Sequence, residues 1–548
     1  MLFNYKFGGS TSVVSNATSV GMSFAPDVNR TPTFFVGQLH RKLAFREAIS
    51  ALHDVVVSDM RYQPRDKTTY LQWAAQQETA WLADYMASQE IGDVKDRIQQ
   101  LRTELQTVQQ TMNRQMQPYY TARQKYFDYL YQRDKDAWFV LDPVITVHPD
   151  EVFFECFSQD ESSYGKLSAS HNVFRHISEF ECGTTNVDYS ADLYNEFQKI
   201  RDYKDTAFTI DPSGFTAQTT GEDEYKEVKI DLPDSWVRGF LQVSSAMTLP
   251  GTTLHLHPMD MAGICSTLRR FKEQTGPRSL RFRLTPGEPI RLVFDPWGKE
   301  LVCARSIYTG SEPIEIRIWG RRRLLTLERL IPVARQFTVH LLGTGLPSFW
   351  LADLGDMNFT LGLSGWSAND WSRLGNFDLM APRGQVDPET AQTVFDGLKQ
   401  SWFARPDDLA QRLNLDKRTV LAALGMYTQA GRAVYDLKAG VYRVRELSQD
   451  PLPLDQLRFD NPREAEANAL VATGQVRVQA ELLPNGLRLT GIVRMPDGRT
   501  HAPTLLIDAD ERLAQATCDC NFYQQNKLRQ GPCTHILAVR MAHQHLGD

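Results

Sequence analysis

Between about Ala44 and Trp138 apolar residues recur at the spacing of a helix face. Val94, Ile98, Leu101, Leu105, Val108 and Met112 follow one another at steps of three and four, with Gln, Arg, Glu and Thr between them. This spacing predicts a coiled-coil-like seam that needs an apolar partner. Pro118 interrupts it and the aromatic run from Tyr119 to Tyr131 follows, so a helical hairpin folded on itself is expected rather than one long rod. From about Phe139 to Arg383 the period shortens to two, as in Leu280-Arg281-Phe282-Arg283-Leu284 and Ile314-Glu315-Ile316-Arg317-Ile318-Trp319. Pro286-Gly287 and Pro296-Trp297-Gly298 punctuate these runs, which predicts a β-rich body, with an inserted helix from Asp192 to Tyr203.

A helical rhythm returns at Asp387-Pro388-Glu389. One helix is expected to about Lys399, a second from Asp407 to Leu413 and a third from Asp416 to about Ala430, where Gly431 can cap it. Two alternating runs follow, Ala433 to Leu437 and Val441 to Arg445. Three helices followed by a β-hairpin is the layout of a winged helix. A stretch rich in Pro, Asp and Leu reads as a linker, and beyond it Val476, Val478, Ala480 and Leu482 alternate up to a Pro484-Asn485-Gly486 turn. Leu487, Leu489 and Val493 alternate back, and a third run reaches Leu505-Leu506-Ile507. The chain therefore reads as an α+β multidomain protein. Its parts are an N-terminal region with a helical arm (1–138), a β-rich body (139–385), a winged-helix-like domain (386–447), a linker (448–465) and a C-terminal domain (466–548).

Composition changes this picture little. Of 548 residues 42% are hydrophobic and 23% charged, close to a globular average and unlike a disordered, fibrous or membrane chain. The net charge of −6 is not that of a protein coated in nucleic acid, although it leaves room for a local basic patch. The N-terminus has no basic segment followed by an apolar run, and no stretch of about 18 apolar residues occurs. A cytoplasmic protein without a membrane partner is expected.

Seven cysteines are too few for a disulfide scaffold. Cys156, Cys182, Cys265 and Cys303 are scattered, whereas Cys518-Asp519-Cys520 and Cys533-Thr534-His535 form two closely spaced pairs. In an extended segment residues i and i+2 project to the same side, so each pair offers two ligands to one ion. Three thiolates and an imidazole suit Zn²⁺, and four protein ligands leave no open position for water, so the site is expected to be structural. Gly531-Pro532 supplies the turn, and Ile536, Leu537, Val539 and Met541 predict a helix after it.

With these residues in view, the segment from about Gly474 to His543 resembles the SWIM zinc finger, a β-meander carrying C-x-C, a spacer, and C-x-H at the start of a helix. Cys518, Cys520, Cys533 and His535 match its four ligand positions. The blocks Leu341 to Trp350 and Gly365 to Trp371 look like those of long bacterial SWIM proteins encoded with a MoxR-type AAA+ ATPase and a von Willebrand A-domain protein. The resemblance implies a place in such a multi-protein system, with the zinc module as a DNA- or protein-binding element.

Three other groups carry chemistry. Between Arg405 and Leu447 eight basic residues face five acidic ones. In a winged helix Lys417, Arg418 and Thr419 would meet the major groove, and the wing arginines Arg443 and Arg445 would reach phosphates. The same fold used for protein packing stands beside that reading. Arg317, Arg321, Arg322, Arg323, Arg329 and Arg335 form a denser basic stretch around Trp319, expected on a solvated strand face. His255-Leu256-His257 with Asp260 is the best arrangement for metal-dependent hydrolysis, although it lacks the last histidine of the usual hydrolase pattern. No phosphate-binding loop and no G-x-S-x-G elbow occur. The expected function is non-catalytic recognition of DNA, RNA or a partner protein, with zinc as cofactor. A hydrolase centred on His255, His257 and Asp260 and a pure protein scaffold are the alternatives.

Overall fold

The computed structural model describes residues 12–15, 19–24, 33–58, 101–103, 143–178, 180–186, 197–198, 200–203, 205–210, 234–272, 278–365, 370–372, 376–382, 386–447, 461–484 and 486–546. The chain divides into two compact units, Met1–Asp59 with Leu141–Asp548, and Met60–Val140. In the second unit residues 101–103 are helical and exposed. The remainder of the seam from Val94 to Met112, the Pro118 break and the aromatic run lie outside the described residues, as does half of the stretch from Asp192 to Tyr203.

Residues 1–59, read as part of the N-terminal region, fall in the first unit with the body. Strand Phe34–Leu39 pairs antiparallel with Asp205–Ile210, which in turn runs parallel to Ser19–Phe24, so the N-terminal strands complete a sheet of the β-rich body. Helix α1, Lys42–Val56, follows with Phe45, Ile49, Leu52 and Val55 buried. These residues recur at i, i+4, i+7 and i+10, the stripe of a helix laid on a sheet.

Its neighbour is an eight-stranded antiparallel sheet in the order Thr252–Leu256, Gln336–Leu341, Ser348–Asp353, Met357–Leu363, Ser163–Ser170, Glu151–Phe157, Val144–Val147, Gly183–Asn186. Strands Glu151–Phe157 and Met357–Leu363 are buried at every position, because both faces of the sheet are covered and the usual alternation is lost. Helix α2, Asp234–Met247, lies where the Phe157 ring is 5.5 Å from Trp236 and 4.8 Å from Phe240. Gly239 permits that approach, since a Cβ there would meet Phe157 at 2.9 Å. Helix α3 spans Pro258–Arg270, and a separate four-stranded sheet runs Lys299–Ile307, Pro289–Phe294, Ser279–Leu284, Ile314–Trp319.

Residues 386–447 contain helix α4 (Pro388–Ser401), α5 (Pro406–Leu413) and α6 (Lys417–Gln429), then strands Ala433–Asp436 and Val441–Val444, with Phe403–Ala404 pairing the second strand. Local chemistry sets the helix starts. Asp387 and Asp416 accept the Thr390 and Arg418 N–H groups, and Pro388 and Pro406 sit at first-turn positions that need no donor. The module closes around Phe395 stacked on Tyr427, with ring centroids 4.1 Å apart.

Its hairpin is seated on the large sheet through buried charge. Arg443 pairs with Asp436 at 2.8 Å, Asp150 at 2.9 Å and Glu151 at 3.2 Å. Lys166 approaches Asp436 at 3.9 Å, and Arg445 lies 3.5 Å from Glu155, which also accepts the Tyr164 hydroxyl at 2.7 Å. His148 completes the seam by donating from Nε2 to the Val444 carbonyl at 2.7 Å, which leaves Nδ1 to face the Arg443 guanidinium at 3.4 Å. Burial, then Arg443, pushes the His148 pKa down to about 3, so the ring is neutral. Burial alone would raise the Asp436 carboxyl, but Lys166 and Arg443 hold it well below the usual range.

The C-terminal module begins earlier than expected. Residues 448–460 lie outside the described residues, but Pro462–Ala472 is a helix, α7, with Asn461 capping the Arg463 N–H, and it takes up the last part of the segment read as a linker. Pro462 marks its first turn rather than a break. The sheet that follows runs Val476–Leu483, Gly486–Arg494, Thr504–Asp508, Leu513–Thr517, with Thr500–His501 beside the second strand. Helix α8, Asn521–Asn526, and helix α9, Thr534–Leu546, complete the chain. Gly491 lets α9 lie directly on the sheet, because a Cβ there would stand 2.0 Å from the Val539 side chain.

Two outcomes follow for the buried seam. Arg443→Ala leaves Lys166 as the remaining buried cation for both Asp436 and Glu151 and is expected to cost about 3–5 kcal/mol of unfolding free energy in denaturant titrations. Because the folded-state pKa of His148 is depressed from 6.5 to about 3, the unfolded chain takes up the proton first. Stability is therefore intact above about pH 6.5 and declines as pH falls toward 3. His148→Gln is expected to flatten that part of the pH profile.

Candidate metal centre

The turn and helix starts at the end of the chain bring Cys518, Cys520, Cys533 and His535 together. One ligand atom from each lies within 4.8 Å of every other, and all four residues are buried. Cys518 and Cys520 leave strand Leu513–Thr517 as an extended segment, and Cys520 then caps α8, its sulfur accepting the Tyr523 N–H at 3.4 Å. Cys533 stands at the start of α9, where its carbonyl accepts the Leu537 N–H. At α8 the Tyr523 contact sets the helix N-terminus against the Cys520 sulfur, which favours its thiolate.

The second ligand pair is held from outside the module's sheet. Arg463 on α7 donates to the Pro532 carbonyl at 2.7 Å and the Gln530 carbonyl at 2.8 Å. Gly531, at φ +79, fits where a Cβ would strike the Asn376 carbonyl at 2.5 Å. Neither Arg463 nor Asn376 was legible as a supporting residue, since each is far in sequence from the ligands.

The imidazole is oriented by its neighbours. His535 Nδ1 lies 3.7 Å from Cys518 Sγ and 3.9 Å from Cys533 Sγ, while Nε2 stands 3.3 Å from Met495 Sδ. Nδ1 is therefore the ligand atom. The His501 ring lies 4.1 Å from that of His535 and is itself held by Asp519 Oδ1 at 2.9 Å. A Zn–S bond of about 2.3 Å places ligands about 3.8 Å apart along a tetrahedron edge, which the observed separations fit. A hydrogen bond to the Cys533 sulfur, then burial, pushes the Cys518 thiol well up, and burial raises Cys520. A dication removes that penalty by binding the deprotonated forms, so the donor set fits Zn²⁺ in a site without an open coordination position.

The other candidate residues are placed differently. Arg443 and Arg445, expected on a wing facing phosphates, are buried in the ion pairs described above, with 4% and 0% of their surface exposed. Pairing with Asp436, Asp150, Glu151 and Glu155 is the physical reason, and only the tertiary contact creates it. Lys417 bridges Asp407 at 2.9 Å and Asp510 at 2.7 Å, Arg418 lies 3.5 Å from Glu511, and Thr419 is half-buried beside them. In the basic stretch Arg317 is on a strand and partly exposed, as expected, but the residues from Arg321 are not on a strand face. Arg321–Leu330 is a 3-10 helix in which Arg321 and Arg323 are buried, Arg321 donating to the Ser279 carbonyl and Arg323 to that of Ser162 at 3.0 Å.

His255 contacts Thr338 Oγ1 at 3.3 Å, whereas the His257 ring caps α3 by accepting the Met259 N–H at 3.1 Å. Asp260 turns the other way, toward Ser306 at 2.6 Å and the Arg305 N–H at 3.0 Å. Among the described residues the cysteine–histidine cluster is the one group of three or more side chains with metal-ligand geometry. No helix among them is long and apolar enough to cross a membrane.

No curated protein matches the chain in sequence. Solved structures superpose weakly. Proliferating cellular nuclear antigen from Entamoeba histolytica has 10% identity and a TM-score of 0.29, with 40% of this chain and 88% of that one covered. The PCNA2–PCNA3 complex from Sulfolobus tokodaii has 9% identity and a TM-score of 0.29, with coverage of 41% and 90%. Superposition at that level carries no argument about this chain. The SWIM zinc finger family matches residues 504–540, a span that contains all four clustered ligands, so the chain carries a SWIM zinc finger whose centre fits Zn²⁺.

Elemental analysis of the purified chain is expected to give about one zinc per molecule, and Cys533→Ala to lose it together with the protease resistance of residues 461–546. Protons compete for the three thiolates, so zinc retention is expected to fall as pH is lowered, measured by chelator titration at pH 7.5 and 5.5.

Proposed function

We propose that the chain is a non-catalytic recognition and adaptor protein whose ligand is another protein rather than a nucleic acid. The observation that carries this reading is the state of the cations a groove-binding surface would need. Arg443 and Arg445 are buried in ion pairs, and Lys417 and Arg418 are neutralised by Asp407, Asp510 and Glu511. Phosphate-driven affinity requires cations that can exchange salt counterions for phosphates. The order α4, α5, α6 and hairpin supports reading residues 386–447 as a winged helix used for packing. The closed ligand set of the zinc centre, with no position for a water nucleophile, supports a role without hydrolysis. The capping role of His257 and the serine partner of Asp260 weigh against a hydrolase there.

The partner proposed is a MoxR-type AAA+ ATPase acting with a von Willebrand A-domain protein. Support for it is the resemblance of the blocks Leu341 to Trp350 and Gly365 to Trp371, together with the absence of a phosphate-binding loop in this sequence. The contact proposed is the seam from Val94 to Met112, whose apolar stripe suits a helix-in-groove or helix-pairing interaction.

The purified chain is expected to hydrolyse no nucleotide, and Ile98→Glu with Leu105→Glu to abolish association with the ATPase while circular dichroism stays unchanged. Duplex DNA affinity is expected to be weak and nearly independent of salt. A log–log slope approaching about −0.9 per phosphate contact, lost in Lys417→Gln with Arg418→Gln, would instead assign the surface to nucleic acid.

A further inference from the structure

A cavity of about 340 Å³ opens where α5, α6 and the hairpin of residues 433–444 meet the turn between strands Thr504–Asp508 and Leu513–Thr517. That volume is in the range of small-molecule sites. Its walls are fixed before any ligand arrives. Arg540 on α9 donates to the Leu379 and Ala381 carbonyls at 3.1 and 2.9 Å, Leu513 N–H bonds the Met380 carbonyl, and Arg512 reaches the Thr248 carbonyl at 3.0 Å. The zinc module and the body therefore hold the two sides of the cavity in one geometry.

The lining is chemically divided. Lys417 is engaged by Asp407 and Asp510, and Arg512 by Asp508 at 2.7 Å and Asp510 at 3.0 Å. Arg405 also lines the cavity, yet no carboxylate pairs with it among the described residues. Its side chain makes no capping bond to α5 and is exposed, so the guanidinium is open to a ligand in the cavity. Tyr435 and Tyr442 form an edge-to-face pair beside it, with ring centroids 5.2 Å apart. Burial holds both phenols above their usual range, so each remains a hydrogen-bond donor at neutral pH. Asp407 and Asp510 line the same cavity and offer carboxylate acceptors.

We propose that this cavity binds a small organic phosphate of mononucleotide size, with Arg405 taking the phosphate. A guanidinium offers paired donors that match phosphate oxygens. The half-buried Tyr435 ring, braced edge-to-face by Tyr442, supplies an aromatic wall for a ring, and the carboxylates accept from hydroxyl or amino groups of the ligand. The site is independent of the partner proposed for the chain, because neither the zinc centre nor the seam from Val94 to Met112 lines it.

The test uses the full-length, zinc-loaded chain and calorimetric titration with adenosine 5′-monophosphate, adenosine and inorganic phosphate. One saturable site for the monophosphate is expected, with adenosine bound weakly because it lacks the charge. Arg405→Gln is expected to weaken the monophosphate by about 10- to 100-fold, the worth of a charge-assisted hydrogen bond, and Tyr435→Ala to weaken it while zinc content and circular dichroism stay unchanged. Absence of saturable monophosphate binding, or unchanged affinity in Arg405→Gln, overturns the proposal. So does an oligonucleotide affinity that depends on Arg405 when the monophosphate does not bind, since the guanidinium then serves a strand. The salt slope on duplex DNA and the ATPase association remain separate readouts, so failure of the cavity and failure of the adaptor reading are distinguishable.

Discussion

Buried charge in the first unit is offset either by opposite charge or by backbone carbonyls, and the first of these seats the hairpin of residues 433–444 on the large sheet. Arg443 is the centre of the pattern. Its guanidinium is surrounded by Asp436 from the same hairpin and by Asp150 and Glu151 from the large sheet, so removing any one element would strand the others in a low dielectric. The seam therefore specifies where the helical module sits on the sheet. Burial and the neighbouring Arg443 guanidinium keep His148 neutral within it.

The zinc centre obeys the same rule with different atoms. Three thiols share one buried cluster with an imidazole, and hydrogen bonding between the thiols and burial hold Cys518 and Cys520 protonated until a cation displaces the protons. A dication resolves the conflict and also ties α8 to α9. The support from Arg463 and Gly531 then connects the ligand turn to α7 and to the loop at Asn376. Loss of the metal is thus a local unfolding event felt by the body through those contacts.

Fixed docking has a functional side. Because Arg540 and Arg512 bond backbone carbonyls of the body, the zinc module does not depend on weak surface ion pairs for its position. Lys417 and Arg418 are consumed at this junction, and Arg405 remains available in the cavity between the modules. A protein built to coat phosphate chains would keep such cations free. Here the junction instead pairs Lys417 and Arg418 with carboxylates and encloses a preformed cavity.

Much of the local structure was written in the amino-acid order. The period-two runs became strands, Asp387, Asp416 and the prolines beside them became helix starts, and the spacing Cys518-x-Cys520 with Cys533-x-His535 identified the metal ligands because all four act through short-range geometry. Pro462 misled, since a proline at a helix start and a proline in a linker look alike without the capping Asn461 in view. The fate of the arginines was beyond the reach of the sequence. Whether Arg443 and Arg445 meet water or carboxylates depends on Asp150, Glu151 and Glu155, nearly 300 residues away, and no periodicity encodes such a pairing. Residue type and spacing determined the helices, strands and ligand set. Only the tertiary structure decided which charges are neutralised, because neutralisation is a property of distance in space and of exclusion from water.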